Sequence, residues 1–175
     1  KWLNEYFYKY LIDPDKYLVK NSTFCISAYN NPNGGYEECS KYSDSMAVGL
    51  LSLQDIKRTE LVDNAGNILS FLDSTYYYLL SNLNANGKAL IKAKANYTID
   101  FEKNSLLPIR PVINLKADIN IVSGIGTDDM PFRLGDYTTG KEHSKLSDRI
   151  TGEIVNYSGV NWVVVDHDKD GNTKM

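Results

Sequence analysis

The chain has 175 residues, which is enough for one sizeable hydrophobic core or for a domain with an appendage. Its formal net charge is -3, and acidic and basic residues are mixed along it, which excludes a basic face for nucleic acid and a polybasic membrane signal. No apolar run approaches the length that spans a bilayer, so we expect no membrane-spanning segment.

Because the sequence starts within an amphipathic pattern and stops within a predicted hairpin, we interpret it as a fragment. The lack of a signal peptide then says nothing about location.

Residues 1–20 are predicted to be helical, because apolar residues recur there with helical spacing. Pro14 follows Asp13 and is expected at a first helical position, where the helix ends or a new turn begins. Residues 21–45 are predicted to be mostly loop, with a short strand at 23–28. The predicted apolar stripe of the helix contains Trp2, Leu3, Tyr6, Phe7, Tyr10 and Leu11.

The two cysteines, Cys25 and Cys39, flank a polar, glycine-rich loop. A disulfide closing that loop would stabilise the fold by about 3 kcal/mol on the chain-entropy model. The short spacing, without other metal ligands nearby, favours the disulfide over two free thiols and indicates an oxidising compartment.

The middle of the chain is predicted to alternate strands with turns. Residues 47–51 form a buried strand, after which Ser52 caps a short helix (53–59) with Asp55 in a capping-box arrangement. Turn residues follow at 63–67 and 84–87. Further strands are predicted at 76–80, 89–94 and 97–101.

The stretch from residue 107 to 134 is predicted to contain the central buried strand. Its apolar run (112–115) is preceded by prolines and followed by glycines, which is typical of a strand bounded by breakers. Arg110 lies between two apolar stretches, where a charge needs a partner. We expect it to pair with an internal Asp or Glu and lock the sheet, rather than to bind a carboxylate ligand.

The last forty residues contain a polar segment and a hairpin. Residues 135–149 have few apolar side chains and are predicted to be a linker. Residues 150–175 form a hairpin, with strands at 154–157 and 161–165. Because an isolated hairpin is marginal in water, this one must dock on another surface.

Two groups of carboxylates could hold a cation. Asp166, Asp168 and Asp170 match the front of a calcium loop, although a hairpin turn at the Asp-Gly pair explains them more simply. Calcium is the only cofactor that the sequence suggests. Asp128 and Asp129 are predicted to fix the turn after Gly126 by bonds from side chain to backbone.

Catalytic motifs are not evident. His143 and His167 lack a second ligand at zinc spacing, and the cysteines lack a histidine partner for nucleophilic catalysis. The adjacent pair Glu37-Glu38 lies in a polar loop, where solvation is the simpler explanation, although a glycosidase dyad needs only proximity in space. We therefore predict no enzymatic activity and no catalytic residues.

Tyrosine is abundant, with 13 residues. Its side chain offers a flat apolar face and a hydroxyl, which suits contact with sugars or with protein surfaces. The alternative is that alternate tyrosines simply cover a sheet. The candidate ligand-binding residues are Tyr29, Tyr36, Tyr42, Tyr76 and Tyr78.

Five motifs follow one another along the chain: Trp2-Leu3-Asn4 with Phe7, Val48-Gly49-Leu50-Leu51-Ser52, Tyr77-Tyr78-Leu79-Leu80-Ser81, Ile109-Arg110-Pro111-Val112-Ile113-Asn114-Leu115-Lys116, and the run from Gly124 to Leu134. In this order they resemble an uncharacterised domain family found in secreted and cell-surface proteins of Gram-positive bacteria, often repeated along one chain. The family usually has Trp-Trp-Leu-Arg-Ser where this chain has Tyr77-Tyr78-Leu79-Leu80-Ser81, so its arginine is absent here.

The resemblance implies an α+β, C-type-lectin-like (formylglycine-enzyme-like) fold, with N-terminal helices packed on a small antiparallel sheet and long loops. Residues 1–134 would be the back part of one repeat. Residues 150–175 would either complete that domain or open the next repeat, in cis or in a swapped dimer. The protein would be secreted or attached to the cell wall.

The function implied is that of a non-catalytic module for adhesion or recognition, with a glycan or a host or bacterial surface protein as partner. One alternative is a structural repeat that serves only as a spacer. The third hypothesis is a secreted hydrolase. A nucleic-acid partner is not expected.

Overall fold

The computed structural model describes residues 1–29, 39–62, 64, 68–72, 78–84, 89–93, 96–98, 107–135 and 144–175. The chain is a small α+β protein, as predicted, in which the described helices are short and strands dominate. Within these residues, no helix combines the length and the apolar character needed to cross a membrane. In chain order the elements are α1 (Trp2–Glu5), a 3-10 helix (Phe7–Tyr10), α2 (Pro14–Tyr17), β1 (Ala28–Tyr29), β2 (Val48–Leu50), α3 (Leu53–Arg58), β3 (Glu60–Val62), β4 (Ile68–Ser70), β5 (Tyr78–Asn84), β6 (Ala89–Ala93), β7 (Asn96–Thr98), β8 (Pro111–Leu115), β9 (Asn120–Ser123), β10 (Phe132–Gly135), a second 3-10 helix (Leu146–Asp148), β11 (Ile154–Tyr157), β12 (Val160–Val163), β13 (Asp166–His167) and β14 (Thr173–Lys174).

The chain divides into two compact units. Unit 1 combines Lys1–Ser22 with Ile113–Met175, and unit 2 is Thr23–Val112. This division does not coincide with the predicted boundary at residue 134. Residues 150–175 belong to the same unit as the N-terminal segment of the same chain.

The N-terminal segment of unit 1 is three short helical turns rather than one continuous helix. Tyr6, with φ -117°, separates α1 from the 3-10 helix, and Asp13, with φ 45°, precedes Pro14 at the start of α2. Consecutive aromatic residues have modest helix propensity, which is consistent with a break after one turn. The predicted stripe is therefore not a buried face: Leu11 is buried, whereas Trp2 and Tyr10 are exposed.

The larger sheet of unit 1 has the strand order β12-β11-β10-β9. The two central strands, β10 and β11, run parallel, and both outer pairs are antiparallel. The predicted hairpin is confirmed as β11 and β12, joined by Ser158 and Gly159 with φ of 58° and 77°. Two consecutive positive φ values are the geometry that a tight two-residue hairpin needs.

A second group of strands in unit 1 pairs β13 with β14 and β14 with β8, both antiparallel. The central buried strand predicted at residues 112–115 is confirmed as part of β8. The end of the predicted linker contains the second 3-10 helix, in which Leu146 is fully buried. The core of unit 1 includes Leu11, Leu18, Ile113, Leu115, Ile119, Ile121, Phe132, Leu146, Val155, Tyr157, Trp162, Val164, Val165 and Met175.

Unit 2 contains a sheet of order β1-β5-β6-β7, in which β1 and β5 are parallel, and the hairpin β3-β4. The capping box of α3 is confirmed. The Oγ of Ser52 accepts a hydrogen bond of 3.1 Å from the backbone N–H of Asp55, whose carboxylate accepts one of 2.8 Å from the N–H of Ser52. The core includes Phe24, Val48, Leu51, Leu53, Ile56, Leu72, Tyr78, Leu80 and Val112.

The predicted disulfide between Cys25 and Cys39 is confirmed, with a Cα–Cα distance of 5.7 Å. The buried hydroxyl of Ser27 supports the same closure. Its oxygen accepts hydrogen bonds of 2.8 Å from the backbone N–H groups of Ser40 and Lys41. The two ends of the loop are therefore held by a covalent bond and by a polar cluster.

Candidate functional site

The predicted tyrosines do not form one exposed group. Tyr42 is 57% exposed. Tyr78 is 1% exposed, and its hydroxyl donates a hydrogen bond of 2.9 Å to the carbonyl of Leu72. The prediction that Tyr78 lies on a binding surface is therefore corrected, since it is a core residue. Tyr29 ends β1, and Tyr36 and Tyr76 lie outside the described residues.

Among the described residues, Arg110 contacts a backbone carbonyl and an aromatic ring, and its pairing with an internal Asp or Glu stays a prediction. Its Nη1 donates a hydrogen bond of 2.8 Å to the carbonyl of Leu72, and its guanidinium lies 4.4 Å from the ring centroid of Tyr78. A guanidinium above the face of a tyrosine ring is attracted to it by a cation–π interaction. Both contacts orient the ring of Tyr78 within unit 2.

Three large aromatic side chains of the N-terminal segment are exposed, and together we call them the aromatic surface: Trp2, Tyr6 and Tyr10. Their exposed fractions are 55%, 55% and 81%. All three lie on the first two helical turns of unit 1. Large exposed aromatic side chains in one short segment are unusual for a surface that only faces water.

The aromatic surface is anchored to the core of unit 1. The ring of Phe7 lies 6.2 Å from that of Trp2 and 6.5 Å from that of the buried Trp162. The indole N–H of Trp162 donates a hydrogen bond of 3.1 Å to the carbonyl of Tyr157, which fixes the orientation of that ring. Trp2 is therefore the exposed end of an aromatic row that begins in the core.

Some charged side chains of the N-terminal segment are paired. Lys1 and Glu5 approach to 4.0 Å, a contact between exposed groups that contributes little to stability. The carboxylate of Asp15 accepts a hydrogen bond of 2.7 Å from the hydroxyl of Tyr8 and lies 2.5 Å from the ammonium of Lys20. Hydrogen bonding from Lys20 and then from Tyr8 lowers the pKa of Asp15.

The sequence alone did not identify the aromatic surface. The spacing of Trp2, Tyr6 and Tyr10 is that of one helix face, and such a face is normally buried. Only the break at Tyr6 and the 3-10 turn that follows show that these side chains remain in solvent. The run Tyr6-Phe7-Tyr8 was the available signal, because three aromatic residues in a row weaken a helix.

Asp128 and Asp129 lie in the turn between β9 and β10, and the prediction that their side chains fix this turn by bonds to the backbone stays a prediction. The turn is closed by Thr127, whose Oγ1 accepts a hydrogen bond of 3.2 Å from the N–H of Met130. Asp128 accepts one of 3.2 Å from the side-chain amide of Asn161, which joins the turn to β12. Asp129 is exposed.

The carboxylates of the predicted calcium loop organise a turn. Asp168 Oδ1 accepts hydrogen bonds of 2.9 Å from the N–H groups of Asp170 and Asn172, and Oδ2 accepts one from the Asn172 amide. Burial raises the pKa of Asp168, but these hydrogen bonds outweigh it and lower the pKa below its usual value. Across the part of the chain that the structure describes, no group of three or more His, Cys, Asp or Glu could hold a metal ion. Calcium binding stays a prediction.

His167 is held by structural hydrogen bonds. Its Nε2 lies 2.6 Å from the carbonyl of Arg149, and its Nδ1 lies 3.1 Å from the hydroxyl of Thr173. A carbonyl can only accept a hydrogen bond, so Nε2 carries a proton.

The disulfide removes the thiols of Cys25 and Cys39 from nucleophilic chemistry. His143, Glu37 and Glu38 lie outside the described residues.

The chain matches no protein-family model, no curated protein and no solved structure. The resemblance to a repeated Gram-positive surface domain therefore stays a prediction. The residues that carry this resemblance lie in two parts of unit 1 that are described above. Trp2 and Phe7 belong to the aromatic row, and Gly124 opens the turn that contains Asp128.

Proposed function

We propose that this protein is a non-catalytic recognition module of a secreted or cell-surface protein, and that its aromatic surface contacts a glycan or a partner protein. The observation that carries the proposal is the exposure of Trp2, Tyr6 and Tyr10 within one short segment. Trp and Tyr are the residues most often found at the centre of binding sites, because each combines a large apolar face with a polar group.

The anchoring of Trp2 through Phe7 supports this proposal. A side chain that is already held in place loses little conformational freedom when a ligand binds. Trp2 and the buried Trp162 are linked through the single ring of Phe7. We therefore expect Trp2 to contribute most of the binding free energy of the aromatic surface.

For the finer fold we propose a C-type-lectin-like domain, repeated in a Gram-positive surface protein, as the sequence resemblance implies. Short helices beside small antiparallel and mixed sheets are consistent with this class. The disulfide supports an oxidising compartment, and hence an extracellular location.

The test is a binding screen of the folded protein on immobilised glycans and extracellular-matrix proteins, run with calcium and then with a chelator. We expect a saturable hit whose affinity falls about tenfold or more in Trp2→Ala, as for residues central to an interface. Tyr42→Ala is the matched control, because Tyr42 is equally exposed but lies in unit 2.

Each other outcome favours a different function. If a sample with a normal thermal melt binds nothing, the spacer alternative replaces recognition. If Tyr42→Ala abolishes the hit and Trp2→Ala does not, the site lies around Tyr42. Loss of binding in chelator would direct attention to the carboxylates at Asp168 and Asp128.

A further inference from the structure

The outer face of the larger sheet in unit 1 carries a row of polar side chains that the aromatic surface does not include. Strand register places Arg133 opposite Asn156 and Asn156 opposite Asn161. Ser123 lies opposite Arg133, where the register between β9 and β10 shifts. Residues that pair in register project from the same face of a sheet. We call these four residues the polar row; Ser123, Arg133 and Asn161 are exposed, and Asn156 is partly exposed.

Hydrogen bonds order one end of the polar row. The amide of Asn156 donates a hydrogen bond of 2.8 Å to Oδ1 of Asn161. The amide of Asn161 donates in turn to Oδ1 of Asp128, at 3.2 Å. These bonds fix the planes of two amides, so the donors and acceptors that remain on them point in set directions.

An apolar strip runs beside the polar row. Ile154 pairs with Val163 on the same two strands, two residues from Asn156 and Asn161, and therefore on the same face. Both side chains are partly exposed. A polar row beside an apolar strip matches a ligand with hydroxyl groups on its edge and C–H groups on its face.

Backbone hydrogen bonds hold the turn that carries Asp128 in place. The carbonyl of Met130 accepts hydrogen bonds from the N–H groups of Ile125 and Gly126, at 3.0 and 3.1 Å. The carbonyl of Gly126 accepts one of 2.8 Å from Ile154, which ties the turn to β11. The polar row is therefore held in place before any ligand binds, which lowers the entropic cost of binding.

Charge identifies the class of ligand. Arg133 is an exposed cation within the row, and a guanidinium is suited to carboxylates through two parallel hydrogen bonds. The carboxylate of Asp128 lies beside Asn161, the last residue of the row, and accepts a hydrogen bond from its amide, so that end suits hydroxyl groups rather than an anion. Adjacent strands are about 4.8 Å apart, a spacing similar to the length of one pyranose ring.

From this arrangement we propose that the polar row binds an acidic polysaccharide that lies across the strands, with a uronate carboxylate on Arg133 and sugar hydroxyls on Asn156, Asn161 and Asp128. This site is separate from the aromatic surface. It does not depend on the proposed function, and the two can fail independently.

The experiment is a calorimetric titration of the full chain with an oligomer of galacturonic acid. The methyl-esterified oligomer and the neutral galactose oligomer serve as comparison ligands. We expect saturable binding of the acidic oligomer that weakens with added salt, and at least tenfold weaker binding of both uncharged ligands.

Two substitutions test the role of Arg133. Arg133→Gln removes the charge, and we expect it to weaken binding about tenfold, whereas Arg133→Lys keeps the charge and should lose less. Lys169→Gln is the matched control, because it removes an exposed cation that lies outside the row. Thermal melts establish that each variant is folded, and Asn156→Ala tests the row without a change of charge.

Other results would overturn the proposal. Equal binding by the wild type and Arg133→Gln, or no binding of the acidic oligomer by a folded sample, would leave the row as a polar cover of the sheet. If the acidic oligomer and its methyl ester bound with equal affinity, the uronate carboxylate would have no role in binding, and the proposed contact with Arg133 would be wrong. If Trp2→Ala abolished binding and Arg133→Gln did not, the ligand would belong to the aromatic surface.

Discussion

The hydroxyl of Tyr157 donates a hydrogen bond of 2.7 Å to the carbonyl oxygen of Ile12, although 145 residues separate the two. The N–H of Ile12 donates a hydrogen bond of 2.5 Å to the hydroxyl of Ser158, which follows Tyr157 in the chain. One hairpin turn thus satisfies both backbone polar groups of Ile12. Burial, and then the neighbouring Tyr17, raise the pKa of Tyr157, which keeps its hydroxyl protonated and able to donate. A hairpin that is marginal alone is docked by these contacts within unit 1.

Tyr157→Phe removes this hydroxyl and leaves the ring. We expect the free energy of unfolding to fall by about 1 to 2 kcal/mol, because the carbonyl of Ile12 loses its partner. Urea denaturation followed by circular dichroism measures the change. Tyr42→Phe is the control, since Tyr42 is exposed and its hydroxyl should contribute little. Equal stability of the two variants would show that the bond to Ile12 does not support docking of the hairpin.

The disulfide of unit 2 gives the second prediction. Replacing both Cys25 and Cys39 by Ser is expected to lower stability by about 3 kcal/mol, since the bond closes a loop with a sequence separation of 14. The melting temperature, measured with and without a thiol reductant, tests this. Wild type in reductant should resemble the double variant. If the oxidised and reduced proteins had the same melting temperature, the hydrogen bonds of Ser27, and not the disulfide, would hold the ends of the loop together.

Local signals in the sequence predicted local structure well. Ser52 and Asp55 are three residues apart, and the hairpin around Ser158 and Gly159 needs only adjacent strands and a turn. In both cases the interacting groups are close in the chain. The pattern therefore contains the information that determines the structure.

Where the deciding contact is distant in sequence, the predictions were incomplete or wrong. Tyr78 is buried, and its ring packs against Arg110 from a later part of the chain, a contact that an alternating pattern does not reveal. Leu146 is buried although it lies in a polar segment. The polar row depends on the parallel pairing of β10 with β11, and only the fold reveals that pairing.

The third prediction concerns acid stability and Asp168. Its pKa is lowered in the folded state, so folding favours the carboxylate. The associated stability is present above the unfolded pKa, near the ordinary value of 3.8, and is lost as the pH falls through the lower folded value. Asp168→Asn should therefore reduce the loss of stability on acidification.

Urea denaturation at a series of pH values across this range measures that effect. Asp15 has a lowered pKa as well, and its contribution has the same sign. Asp15→Asn, made separately, shows how much of the pH dependence belongs to that exposed carboxylate. An unchanged pH slope in Asp168→Asn would mean that the turn does not depend on the charged form of Asp168.

The fourth prediction compares two glycines with positive φ, Gly124 at 95° and Gly159 at 77°. A Cβ at Gly159 meets nothing within 4 Å, so Gly159→Ala should cost about 1 to 2 kcal/mol, the penalty of a left-handed backbone. A Cβ at Gly124 would collide with the backbone of Pro131, and Gly124→Ala should therefore cost clearly more. Urea denaturation of both variants gives the difference between the two costs. If the costs were equal, the turn would relax around the new methyl group, and the rigid placement of Asp128 beside the polar row would be lost.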